Sequence, residues 1–219
     1  MKSVHLSTVG KSPDPIINGF RAHKVDRQVL LHSIATKDAA EEIRDRIREL
    51  VGNDLCELVE VDPFNMSDIV TKVLSKCHDF SGCEFSINIS GGTNVMAASA
   101  LLACFMIGGR AYYMKEQREQ ESVSLGEMVI EIPIPRVALS EIGRNQKRIL
   151  HQIAISKGQI QTSRLLVESL NMSAQLVSNH VKQLKEKGLV ELTVIGREKN
   201  VSLTPAGHLM ANIIELPQI

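Results

Sequence analysis

Phe85-Ser86-Ile87-Asn88-Ile89-Ser90-Gly91-Gly92-Thr93-Asn94 is the stretch on which the fold turns. Phe85, Ile87 and Ile89 alternate with polar residues as a strand does, and Gly91-Gly92 ends the alternation. Thr93 then stands where a helix cap is needed, before a run of 13 residues, Val95–Ile107, whose only polar member is Ser99. That run is too short to cross a bilayer and reads as a helix buried in protein, with one side on a sheet and another on a second subunit. Strand, glycine turn and apolar helix in direct succession make one unit of a strand–helix repeat.

The same grammar extends in both directions. Upstream, Val4–Val9, Val29–Ile34 and Cys56–Val61 read as strands. Between them lie a helix carrying Ile16, Ile17 and Phe20, and a second capped by Thr36, with Ala39, Ile43, Ile47 and Leu50 as its stripe and Gly52 as its stop. Ile69, Val70, Val73, Leu74 and Cys77 mark a third. Downstream, Arg110–Met114 and Met128–Ile134 close the series around a polar connection, 115–126. Alternation at this spacing predicts an α/β, Rossmann-like, mostly parallel sheet with helices on both faces, spanning residues 1–136. Ligands of such sheets sit outside the carboxyl ends of the strands.

After Pro133 and Pro135 the pattern changes to helices joined by short turns, so residues 137–219 form a second domain. Ile142, Ile149, Leu150 and Ile153 suit a first helix ending near Gly158, and Leu165, Leu166 and Leu170 a second opened by Thr162 or Ser163. Ser173 caps a third with Val177, Val181 and Leu184 along one seam and Gly188 as its stop. Leu189–Val194 and Asn200–Leu203 flank a turn, and Thr204-Pro205 opens a last helix. Three helices followed by a two-stranded ribbon predict a winged helix-turn-helix.

Charge follows the same division. The chain has 25 basic and 25 acidic side chains, but residues 140–219 hold 10 of the basic and only 6 of the acidic ones. Neutrality rules out a protein that coats polyanions along its whole length, while the basic last third points to one polyanion-binding region. A hydrophobic content of 43% excludes intrinsic disorder. The start, Met1–Leu6, lacks the apolar segment of a secretion signal, so a cytoplasmic location without membrane attachment is expected. Cys56, Cys77, Cys83 and Cys104 have no paired spacing, which argues for reduced thiols and no metal.

The third helix of the basic region presents Gln175, Ser178, Asn179, Lys182 and Lys185 opposite its apolar seam, behind the Ser173 cap. Gln and Asn can bond adenine edges in a major groove, lysines reach phosphates, and Arg197 and Lys199 occupy a wing tip. His180 lies toward DNA, on the surface or in an interface. A polar face on a protein-binding winged helix is the alternative. The run Ser173–Val190, with Leu203-Thr204-Pro205-Ala206-Gly207 after the wing, resembles MarR/ArsR-like winged-helix transcription regulators, and that resemblance implies double-stranded DNA as partner.

Within the acidic domain a loop follows each of the first and fourth predicted strands, Ser7-Thr8-Val9-Gly10-Lys11-Ser12 and Ser90-Gly91-Gly92-Thr93-Asn94. Adjacent glycines let backbone N–H groups approach an anion, and the following helix N-terminus adds positive potential. Neither loop is a Walker A or a GxGxxG motif, so no nucleotide cofactor is expected. A plain strand-to-helix turn capped by Thr93 explains the second loop equally well on spacing alone. Joined to a winged helix, the two loops resemble the CARF–winged-helix regulators of CRISPR systems, of the archaeal Csa-three type. The resemblance implies a homodimeric sensor binding cyclic oligoadenylate, especially cyclic tetra-adenylate. Thr8, Val9, Gly10 and Lys11 would form one wall and Ser90, Gly91, Gly92, Thr93 and Asn94 the floor. Asn94 stands where many relatives carry Lys or Arg, which weakens charge attraction there.

The loops hold no GxSxG, HExxH, DxD or paired carboxylates, so the reading is a regulator and not an enzyme. Two alternatives stay open on sequence alone: a slow ring nuclease acting through Lys11, and a metabolite-responsive regulator outside CRISPR defence.

Overall fold

The computed structural model describes residues 2–115, 123–135, 137–156, 161–195 and 198–214. Two compact units result, Met1–Ile132 and Pro133–Ile219, so the division falls a few residues before the expected one, where Pro133 ends the last strand of the first unit.

The first unit runs β1 (Ser3–Thr8), α1 (Asp14–Ala22), β2 (Arg27–His32), α2 (Lys37–Val51), β3 (Cys56–Glu60), α3 (Met66–Asp79), β4 (Glu84–Asn88), α4 (Asn94–Ile107), β5 (Arg110–Met114), α5 (Leu125–Met128) and β6 (Val129–Ile132). Its sheet has the order β3-β2-β1-β4-β5-β6, parallel except for β6. The chain moves from β1 outward to β3, then returns across the sheet to β4, so the order reverses between β1 and β4. Right-handed crossovers put α1 and α2 on one face and α3 and α4 on the other. Leu6 at the centre of β1 is in register with Val29 and Ile87, and all three are fully buried. Each such side chain contributes roughly 1.5–3 kcal/mol of burial. Ile16, Ile17 and Phe20 of α1 pack with Leu30, Ile43 and Ile47.

Three local expectations need correcting. Strand β2 begins at Arg27 and ends at His32, because residues 34–36 form a 3₁₀ turn that leaves Ile34 79% exposed. Thr36 does sit at the N-cap of α2, but its hydroxyl accepts from the Ser33 amide at 3.0 Å and caps nothing in the helix. The α2 stripe is Ala40, Ile43 and Ile47, with the final turn overhanging the cluster and Leu50 in solvent.

The second unit runs α6 (Arg144–Ile155), β7 (Gln161–Thr162), α7 (Ser163–Leu170), α8 (Ala174–Glu186), β8 (Val190–Ile195), β9 (Glu198–Leu203) and α9 (Pro205–Ile214). Ile149, Leu150, Leu166, Val177, Val181, Leu184 and Val201 share one buried cluster. Strand β7, read from sequence only as a helix start, pairs with β9 to give a sheet of order β7-β9-β8. Residues 144–155 make the first helix, Ile142 is buried just before it, and Gly158 lies outside the described residues. This is a winged helix-turn-helix. Among the described residues no helix is long and apolar enough to cross a membrane.

Candidate functional site

The two glycine loops meet where the strand order reverses. A Cβ at Gly10 would lie 2.9 Å from the Gly92 amide nitrogen, and one at Gly91 would lie 2.7 Å from the Gly10 nitrogen and overlap the Thr8 carbonyl. Gly92 adopts φ +77°, a conformation that side-chain-bearing residues rarely take. The glycines therefore let two backbones touch, with the N-termini of α1 and α4 behind them. No acidic residue stands in the first turn of α4.

Most of the hydroxyls in these loops turn inward. The Thr8 hydroxyl, fully buried, donates to the Gly91 carbonyl at 2.7 Å and latches the loops together. Thr93 accepts from the Met96 amide at 3.1 Å as the α4 cap and donates to the Pro63 carbonyl at 2.7 Å. The Ser90 hydroxyl donates to Asn88 Oδ1 and accepts from the Met114 amide. Val9 sends its side chain into the α1/α2 cluster, so only its backbone can line the loop. Lys11, Gly92 and Asn94 are exposed or half-buried, as are Gly10 and Gly91. Among the described residues, no protein backbone acceptor takes the amide protons of Gly10, Lys11, Gly91 or Gly92. The surface offered is a set of N–H groups beside one ammonium, which suits an anion.

Asn88 holds this arrangement, and the sequence reading did not single it out. Fully buried, it donates to the Pro15 carbonyl at the start of α1 at 3.2 Å and accepts from the Ser90 amide at 3.0 Å. Its signal was a polar side chain between Ile87 and Ile89 at a strand end. Behind it the Tyr112 hydroxyl bonds Asn88 and lies 3.3 Å from His5 Nδ1, while burial raises the tyrosine pKa. Burial first, then the charges of His23 and Arg110, lower His5 to about 4, so the ring is neutral near pH 7. His5 is thus a buried structural group, as its mid-strand position predicts. Cys56 and Cys77 are likewise poor nucleophiles, pushed by burial to about 12 and about 11. Among the described residues no cluster of three His, Cys, Asp or Glu side chains could hold a metal ion.

In the second unit, Val177, Val181 and Leu184 of α8 are buried while Gln175, Ser178, Asn179, Lys182 and Lys185 are exposed. The Ser173 hydroxyl accepts from the Leu176 amide at 3.3 Å and serves as the cap. Lys199 is exposed on β9, and Arg197 lies outside the described residues. His180 Nε2 is buried without a hydrogen-bond partner among the described residues, so this ring edge does not face solvent. At the other end of α8, buried Gln146 of α6 donates to Gln183 at 2.8 Å and accepts from Lys187 at 3.1 Å. Lys187 also reaches the Glu141 carbonyl, which ties the helix to the segment preceding α6.

A family model described as "HFX_2341_N:-like, N-terminal" matches residues 3–119, the whole run from β1 past β5. The chain belongs to this family. A MarR family model matches residues 140–198, from the start of α6 into the wing, and the C-terminal unit is a MarR-family winged helix. No curated protein matches the chain. Among solved structures, MepR, a transcription regulator of the Staphylococcus aureus multidrug efflux pump MepA, is 24% identical over 34% of this chain and 56% of its own, with a TM-score of 0.33. The S. aureus MepR–DNA complex is 25% identical over 33% of this chain and 54% of its own, with a TM-score of 0.31. Can2 from Sulfobacillus thermosulfidooxidans, in complex with cyclic tetra-adenylate, is 14% identical over 97% of this chain and 63% of its own, with a TM-score of 0.48. The HFX_2341-like chain spans little more than half of the MepR structures it matches.

Proposed function

We propose that this chain is a dimeric cytoplasmic transcription regulator that binds cyclic oligoadenylate, cyclic tetra-adenylate first among them, in the cradle formed by the two glycine loops, and double-stranded DNA through α8 and the wing. The observation that carries the reading is the meeting of Gly10 with Gly91 and Gly92 at the reversal of strand order. A ring of phosphodiesters needs several convergent N–H donors and little room for side chains, and two-fold pairing would present two such sets to it. The exposed apolar side chains Leu102, Phe105 and Met106 of α4 supply a face for a second copy. Ligand would bias the placement of the paired winged helices and so change operator affinity.

The ligand-binding residues of this reading are Thr8 to Lys11 and Ser90 to Asn94, with backbone amides and Lys11 making the direct contacts. The DNA-reading residues are Gln175, Ser178, Asn179 and Lys182, aided by Arg197 and Lys199, with Ser173 acting through its cap on α8. Efficient ring cleavage is not included, since Lys11 is the sole basic side chain of the two loops and the histidine nearest in sequence, His5, is buried and neutral. Titration of cyclic tetra-adenylate into the protein, followed by a DNA shift assay with and without it, tests the reading. Saturable binding with an altered shift is expected. Linear product accumulating over many turnovers would favour a ring nuclease instead.

A further inference from the structure

Residues 137–143, which lead into α6, are not a loose tether. Val137 packs against the buried cluster of the second unit, and Ile142 belongs to that cluster. Between them Leu139–Glu141 form a 3₁₀ turn, closed by the Ala138 amide on the Glu141 carboxylate at 3.1 Å. One buried side chain fastens this segment to α8. Gln146 Oε1 accepts from the Gly143 amide at 3.2 Å and from Lys187 Nζ at 3.1 Å, and its Nε2 donates to Gln183 Oε1 at 2.8 Å. Reversing the carboxamide would set an NH₂ group against two donors, so its partners fix its orientation. Lys187, the C-cap of α8, gives a second hydrogen bond to the Glu141 carbonyl at 2.6 Å. Its ammonium stands at the end of the helix where the backbone dipole is negative. These are all polar groups that can exchange partners with water at small net cost, whereas Val177, Val181 and Leu184 hold the body of α8 to the core.

The cradle is tied to the start of the same stretch of chain. The Ser90 hydroxyl accepts from the Met114 amide at 2.7 Å, Met114 of β5 is in register with Val129 of β6, and β6 runs directly into Pro133. A displacement of the second glycine loop therefore reaches β5, then β6, then the segment that Lys187 and Gln146 hold. We infer that Lys187 and Gln146 couple the cradle to α8, by passing a shift of residues 137–143 to the C-terminal end of that helix. They are positioning residues, acting on the exposed Gln175, Ser178 and Asn179 through the helix itself. At about 1.5 Å of rise per residue α8 is about 20 Å long, so a tilt of about 5° moves its far end by almost 2 Å, enough to break a hydrogen bond to a base edge. The inference rests on the reading of the cradle and of α8 above, and adds the residues through which one acts on the other.

The test uses the full chain, cyclic tetra-adenylate and a duplex that the unaltered chain selects from a random pool. Duplex affinity is measured by fluorescence anisotropy with and without saturating ring. In the unaltered chain the ring should change it at least about tenfold. Lys187→Met keeps the aliphatic stem and removes the ammonium, so that factor should fall below about twofold, with ring affinity and ring-free duplex affinity each within about threefold of the original. Lys187→Arg again offers donors to both acceptors and should restore most of the factor. A factor unchanged by Lys187→Met would overturn the inference while leaving the cradle and α8 as read. So would a loss of duplex affinity with the factor kept, which would make Lys187 a phosphate contact. Hydrogen exchange on the unaltered chain reads the same link without a substitution. Ring binding should change the protection of the Gly143 and Lys187 amides at least about fivefold, and unchanged protection at both would overturn the inference. Failure of the ring to bind, or to alter duplex affinity in the unaltered chain, would overturn the proposed function and the inference with it.

Discussion

The cradle and α8 solve opposite problems with the same residue types. In the cradle Thr8, Ser90 and Thr93 turn their hydroxyls into the protein, and the backbone faces outward. On α8 the backbone is satisfied by the helix, and Gln175, Ser178, Asn179 and Lys182 face outward. A surface made of amides is specific for charge and geometry but indifferent to side-chain substitution, except where a Cβ would intrude. A surface made of side chains is specific for the pattern it displays and changes with each exposed side chain that is replaced, even where the helix stays intact. The lesson is that the two sites fail under different mutations.

The largest effect should come from Gly91→Val. A side chain there overlaps the Thr8 carbonyl and forces the loops apart, so ring affinity in calorimetry should fall more than about a hundredfold with operator binding by the free protein retained. Loss of both activities together would show that the sites do not separate as claimed. Next comes the helix face. Asn179→Ala should cost about 1–3 kcal/mol of discrimination at one base position, and Lys182→Ala should lower the salt slope of DNA binding by about one. Neither should alter ring binding, and a slope unchanged by Lys182→Ala would place that lysine away from phosphate.

A pH effect distinguishes the buried support of the cradle from the exposed helix. His5 is neutral in the folded chain down to about pH 4 but takes up a proton near pH 6.5 once unfolded. The unfolded state therefore binds the extra proton between those values, and stability should be full above about pH 6.5 and fall as pH drops toward 4. The loss approaches about 3 kcal/mol at about 1.4 kcal/mol per pKa unit, and His5→Gln should flatten this region of a thermal-denaturation profile. The smallest effect belongs to Ser173→Ala. Its hydroxyl caps α8, so stability should drop by about 1 kcal/mol with DNA affinity changed less than about twofold. A larger loss of affinity would assign the hydroxyl to DNA.

Much of this was legible in the residues. Short apolar runs around Leu6, Leu30 and Ile87 marked the strands, because a parallel sheet covered on both faces buries nearly every strand position, and the helical spacing of Val177, Val181 and Leu184 marked α8. The two-residue strand β7 was not legible, since Gln161-Thr162 pairs with β9 by register alone and has no pattern of its own. Nor was the overhang that exposes Leu50, which depends on where the packed cluster ends. Asn88 was visible as an odd polar residue, but its partners at Pro15 and Ser90 come from outside its own strand.

Period and composition alone determined the alternation of elements, the change of grammar after Pro135, the glycine loops and the polar face of α8, because each is a local property of consecutive side chains. Only the tertiary structure decided that the order of strands reverses between β1 and β4, that Gly10 touches Gly91 and Gly92, and that the hydroxyls of Thr8 and Thr93 point inward. The cradle contacts join residues some eighty positions apart, and it is sheet pairing, not local propensity, that brings them within hydrogen-bonding distance.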